Sequence, residues 1–132
     1  MSLTSANLEP LLDQVKFDDR GLASAIVLDA KTGQPLMFAF VNRESLKLTL
    51  ETGKMHYWSR SRKEIWFKGG TSGHVQNVKE VFVDCDNDAF VFKVEQLGGA
   101  CHTGNYSCFF RKLGPEGWID LGDKVFDPTK VY

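Results

Sequence analysis

The chain has 132 residues, a formal net charge of -1, 42% hydrophobic residues and 25% charged residues. That length suits one domain, able to bury about two-thirds of its unfolded surface without staples, and the apolar fraction with ten phenylalanines excludes a disordered chain. A near-neutral charge gives no general attraction to nucleic acid or to an anionic membrane, and the apolar runs are too short to span a bilayer.

The amino terminus, MSLTSANLEPLLDQVKF, lacks a basic segment followed by a long apolar stretch, so no signal peptide is expected. Leu3, Leu8, Leu11, Leu12 and Val15 have a rough helical spacing over residues 3–16, with Pro10 assigned to the first turn. Residues 22–29 and 36–41 read as strands, joined by the turn Lys31-Thr32-Gly33-Gln34-Pro35 into a β-hairpin. Asn42 is a good N-cap for a helix over 45–52, and Gly53 is the expected left-handed stop. Residues 55–59 and 64–68 give two strands around the basic loop 60–63; 69–73 is irregular; 78–84 and 89–95 give two more strands. Residues 101–108 form a turn-rich loop and 109–113 a returning strand, while the tail 114–132 has no clear pattern. Short strands with two helices and no βαβ alternation favour a single α+β domain over residues 1–132. No repeat, low-complexity segment or interdomain linker is present.

All three cysteines fall in two hydrophilic clusters, DCDND at 84–88 and CHTGNYSC at 101–108. Thiolates are soft and suit zinc, whereas clustered carboxylates are hard and suit magnesium or calcium. Three sulfurs leave a tetrahedral zinc one ligand short, as a catalytic zinc requires. In an extended segment Asp84, Asp86 and Asp88 share one side and Cys85 the other; the plainer alternative is an acidic, solvated loop. Counting Asp84 as the first position of an EF-hand puts Glu95 at the twelfth, but Ala89 stands where the loop needs glycine and 90–94 alternates like a strand.

Cys101 and Cys108 are spaced more widely than a structural zinc knuckle; with Cys85 they make three ligands and one vacancy. His102 adjoins a ligand, which suits a base or proton shuttle better than a fourth ligand, although a structural zinc completed by His102 is the competing reading. Residues 57–63 and 66–73 combine arginines, lysines, hydroxyls and glycine-exposed amides, the groups a phosphate site needs. A charged hairpin tip and a buried aromatic strand face explain the same residues without a ligand. His56 and His74 read as structural, with His74 close enough to the TSG turn to touch a substrate.

Together these segments resemble phosphoribosyl-AMP cyclohydrolase, the ring-opening enzyme family of histidine biosynthesis. The matching stretches are FDDRGL (17–22), AIVLDAKTGQPLMFAFVN (25–42), TLETGKMHYWSRSR (49–62), W-x-KGGTSGHVQNV (66–78), DCDNDA (84–89) and CHTGNYSCF (101–109). Three cysteines cannot all pair in one chain, and a cytosolic metal site explains all three, so a cytoplasmic protein is expected. The resemblance implies a monofunctional hydrolase that works as an intertwined homodimer with active sites at the subunit interface. It implies zinc held by Cys85, Cys101 and Cys108 from both chains, and magnesium at Asp84, Asp86 and Asp88. It implies a nucleotide substrate opened at N1–C6, with His102 as base and an aspartate of 84–88 as the other candidate. Arg60, Arg62, Lys68, Thr71 and Ser72 are the expected phosphate and ribose contacts, with Trp58 and Ser59 beside them. The family commonly has an acidic residue where Gly70 stands, and some relatives carry a fused pyrophosphohydrolase domain for which this chain is too short. The competing classes are a non-catalytic zinc- and calcium-binding module and, disfavoured by the charge balance, a nucleic-acid binder.

Overall fold

The computed structural model describes residues 5–122 and 124–130, so Leu3 of the expected first helix lies outside the described residues. Helix α1 spans Ser5–Asp13 and buries Leu8 and Leu12. Pro10 stands inside the helix, not in its first turn. Its missing N–H removes a bond of the turn that precedes it. The helix closes with tight bonds from Gln14 N–H to the Leu11 carbonyl and from Val15 N–H to the Leu12 carbonyl, both 3.2 Å.

Strands β1 (Ala23–Asp29) and β2 (Pro35–Val41) form the expected hairpin. Alternation sends Ala23, Ala25 and Val27 into the core. Helix α2 (Arg43–Thr52) starts at a reciprocal capping box between Asn42 and Ser45 and ends at Gly53, whose φ of 73° is the left-handed stop. Four further strands follow: β3 (His56–Ser59), β4 (Glu64–Phe67), β5 (Gln76–Val83) and β6 (Ala89–Gln96). They complete a six-stranded sheet in the order β4-β3-β2-β1-β6-β5.

Every pairing in that sheet is antiparallel except β1 with β6. The α+β, mostly antiparallel expectation holds, and the parallel pair is the addition. It arises because the β5–β6 hairpin docks on β1 through β6. Leu8, Leu12, Leu46 and Leu50 of the two helices join Val27, Val41, Tyr57, Phe92 and Val94 of the sheet in one core. Arg43 bonds Glu9 and Asp13 across the helix pair, both at 2.7 Å, but these are exposed ion pairs that water screens. Burial of the core holds the helices on the sheet.

The strand expected at 109–113 is present and forms a second hairpin with a strand from the tail, which had no clear pattern in sequence. β7 (Arg111–Gly114) pairs with β8 (Gly117–Asp120), followed by a short 3-10 turn at Pro128–Lys130. No other strand or helix packs substantially on this hairpin, and it leaves Leu113 65% and Trp118 69% exposed. A lone two-stranded hairpin is marginal in water, so this apolar surface needs a cover. Among the described residues, no helix is long and apolar enough to cross a membrane.

Candidate active site

The loop after β6 folds back on itself. Ala100 N–H donates to the Tyr106 carbonyl at 2.9 Å, Cys101 N–H to Asn105 at 3.2 Å, and Gly104 N–H to Cys101 at 3.1 Å. The far end is pinned to β2, where Cys108 N–H reaches the Leu36 carbonyl at 2.7 Å and the Ser107 hydroxyl the Pro35 carbonyl at 2.6 Å. The Tyr106 hydroxyl donates to Asp29 Oδ2 at 2.5 Å. Burial raises the Asp29 pKa, but the bonds from Tyr106 and from the N–H groups of Lys31 and Thr32 outweigh it and leave the carboxyl below its usual range. These anchors make the thiols of Cys101 and Cys108 near neighbours, and Cys101 Sγ lies 2.9 Å from the Thr103 hydroxyl.

Neither thiol is in a disulfide, and Cys101 is buried while Cys108 is exposed as a residue. Burial, then the charge and hydrogen bond of Cys101, push the Cys108 thiol up to about 12, against the pull of Lys68. Neighbouring thiols become ligands when a cation displaces their protons. The donor set therefore fits half of a zinc site.

Beside the thiols lies a cavity of about 770 Å³. Ser59, Arg62, Lys68, Thr71, Ser72, His102 and Cys108, all expected from sequence as site residues, line it. Trp58 and Arg60 do not. Tyr57 pairs with Trp66 and Ser59 with Glu64, so Ser59 and Trp66 share one face and Trp58 takes the other; from that second face only Phe67, at the end of β4, reaches the cavity from these two strands. Trp66 is the tryptophan on the cavity wall. Arg60 instead lays its guanidinium 4.2 Å from the centre of the Phe40 ring. His102 is exposed at the cavity edge.

The floor is shaped by the turn 69–73, closed by Gly73 N–H to the Gly69 carbonyl at 2.8 Å. Gly69 has a φ of +88°, and a Cβ there would lie 2.4 Å from the Val75 nitrogen, so only glycine fits. Gly70, the other wall glycine of this turn, has no such backbone demand; a Cβ would meet the Phe67 ring at 3.2 Å. His74 packs edge-on against Phe126 with ring centres 4.4 Å apart. Burial, then the Lys68 charge, lower its pKa and keep the imidazole neutral. It does not line the cavity. His56 stacks on Phe67 and its Nδ1 is bonded to the Lys54 carbonyl at 2.8 Å, a structural role.

The acidic cluster differs from its sequence reading in one respect. Residues 84–88 form a turn and not an extended segment, because Asn87 adopts a left-handed φ of 61° and its N–H closes on the Asp84 carbonyl at 3.1 Å. Asp84, Asp86 and Asp88 still converge: one carboxylate oxygen from each lies within 4.8 Å of the others, all exposed. Asp88 N–H donates to Asp84 Oδ1 at 3.2 Å. This bond leads in lowering the Asp84 pKa, while partial desolvation and then the Asp84 charge raise that of Asp88.

The thiol of Cys85, in the same turn, does not join Cys101 and Cys108; the only metal-type cluster of three among the described residues of one chain is the aspartate trio. The eight residues of β6 separate the two regions, a span of roughly 26 Å at strand rise.

Residues 37–110 match the family model described as phosphoribosyl-AMP cyclohydrolase. A protein of that name from Salinibacter ruber is 56% identical over 94% of this chain and 98% of its own length. Another, from Methanococcoides burtonii, is 57% identical over 92% of this chain and 98% of its own. A histidine biosynthesis bifunctional protein from Thermoanaerobacter pseudethanolicus is 51% identical over 95% of this chain, which spans 58% of that longer relative. The paired thiols, His102 and the cavity all fall within or beside the matched segment, and the chain belongs to the phosphoribosyl-AMP cyclohydrolase family of enzymes.

Proposed function

We propose that this protein hydrolyses the adenine ring of 1-(5-phosphoribosyl)-AMP between N1 and C6, yielding the formimino-aminoimidazole carboxamide ribotide in histidine biosynthesis, in the cytoplasm. The observation that carries this reading is the neighbouring Cys101–Cys108 pair, with Cys108 and His102 lining a nucleotide-sized cavity, in a chain of this family. Cys101 and Cys108 would hold zinc with the Cys85 of a second copy, since a chain's own Cys85 lies a strand's length away. Asp84, Asp86 and Asp88 offer an all-oxygen site suited to magnesium. The exposed apolar β7–β8 hairpin favours a homodimer, as surface that a second copy would cover.

When bound, zinc supplies a Lewis acid and lowers the pKa of a coordinated water. The residues of the chain do the rest. Arg62, Ser59, Thr71 and Ser72 bind the phosphates and ribose, and Trp66 offers its ring to the purine. N1 carries a phosphoribosyl group, which leaves C6 electron-poor. His102 accepts the proton of the attacking water as its oxygen bonds to C6. The C6–N1 bond then breaks, and the proton passes from His102 to N1. The departing group is a ring nitrogen, so the product stays one molecule.

The test follows ring opening by ultraviolet absorbance with protein stripped by a chelator and then resupplied with zinc and magnesium. Turnover that disappears on stripping and returns on resupply is expected. Absence of turnover in fully resupplied protein overturns the reading.

A further inference from the structure

Lys68 is 2% exposed, at the end of β4 where its N–H bonds the Met55 carbonyl at 3.2 Å. It lies on the cavity wall with Cys108, and its ammonium is 5.6 Å from the centre of the Trp66 ring. Among the described residues, no carboxylate comes within ion-pair distance of it. A buried ammonium without an anion is costly. The groups facing it that can become anions are the thiols of Cys108 and Cys101, while His74 stands near as a neutral imidazole.

We infer that Lys68 is a positioning residue for the metal: its ammonium is the counter-charge of the thiolate cluster, not a phosphate contact. This rests on the zinc reading above. Zinc with three thiolates has a net charge of one minus, formed from neutral thiols with release of their protons. An ammonium already fixed beside them neutralises that charge where water cannot, so the loaded site is favoured over the empty one. The same burial that suits Lys68 to the thiolates keeps it from a phosphate dianion, which the exposed Arg62 can meet. Burial lowers the Lys68 pKa, and the Cys108 and then Cys101 thiols act in the opposite direction.

The test uses metal-free full-length protein titrated with zinc alone against a chromogenic chelator, without substrate. Lys68→Met should bind zinc roughly 10–100-fold more weakly, the usual cost of losing a group that supports metal ligands. Lys68→Arg, which keeps the charge, should restore most of the affinity. If Lys68→Met fails to fold, Lys68→Gln gives the same comparison. Wild-type zinc affinity in the neutral variant, with a raised KM for substrate, would overturn the inference and return Lys68 to the phosphate set. Wild-type protein that holds no zinc at all would overturn the metal reading itself.

Discussion

The cysteine loop and the acidic turn sit at opposite ends of β6 and solve the ligand problem in opposite ways. The loop at 101–108 is pinned by backbone bonds to itself and to β2, and its two thiols are near neighbours, with that of Cys108 pushed up to about 12. The turn at 84–88 is exposed, and its carboxylates repel while they converge. Soft ligands can wait protonated, so they can be placed together before the cation arrives. Hard ligands are charged at neutral pH and need something to hold them together. Cys85 belongs by chemistry to the first region and by position to the second, so in the proposed zinc site the two regions come from different copies.

The sharpest way to break this contrast is to remove a soft ligand. Cys101→Ser should lose zinc and turnover together, read by metal analysis and the ultraviolet assay; retention of either would detach the loop from the chemistry. His102→Ala should keep zinc but lower kcat by about 10²–10⁴-fold, the usual contribution of a positioned base. Zinc lost along with activity would make His102 a ligand instead.

Two smaller effects probe the scaffold under each region. Tyr106→Phe removes the bond to Asp29 that anchors the cysteine loop and should cost about 1 kcal/mol in denaturant titration. Asp29 has a lowered folded pKa, so its contribution is present above the unfolded value and lost as pH falls through the folded one. The gap between wild type and Tyr106→Phe should therefore shrink on acidification, and a gap that grows would reverse the assignment. Asp88 has the opposite sign. Its raised folded pKa means that its ionisation destabilises the fold as pH rises from the unfolded value through the folded one. In metal-free protein above about pH 5, where free carboxylates are charged, Asp88→Asn should raise the melting temperature slightly; a lower one would show that the trio does not strain the turn.

The parts of this molecule readable in its sequence are those fixed by local chemistry. Asn42, Ser45 and Gly53 bound α2 by caps that need no tertiary partner. The β1–β2 and β5–β6 hairpins follow from alternation around turns. The sequence also singled out seven residues that line the cavity, including Arg62, His102 and Cys108. What it withheld depended on partners far along the chain. Periodicity cannot say that β6 runs parallel to β1. It does not choose Trp66 over Trp58, because the strand faces are set only when β3 and β4 pair. Lys68 carries no mark of burial, since lysines rarely lose their water. The extended reading of DCDND failed on Asn87, whose tolerance of left-handed backbone turns a strand end into a tight turn. The strand expected at 109–113 is there, but its partner at 117–120 was hidden by exposed apolar residues, which obscure alternation when one face lacks a core.

The claim that the two ends of β6 meet only between copies has one direct measurement. Cys85→Ser and Cys101→Ser proteins, each inactive alone, are mixed, unfolded together and refolded, and ring opening is assayed. A mixed pair holds one site with Cys85 from the first partner's complement and the 101–108 thiols intact on the other, so turnover and zinc binding should reappear. Continued inactivity in refolded, paired protein would mean that all three thiols serve one chain, contradicting the account.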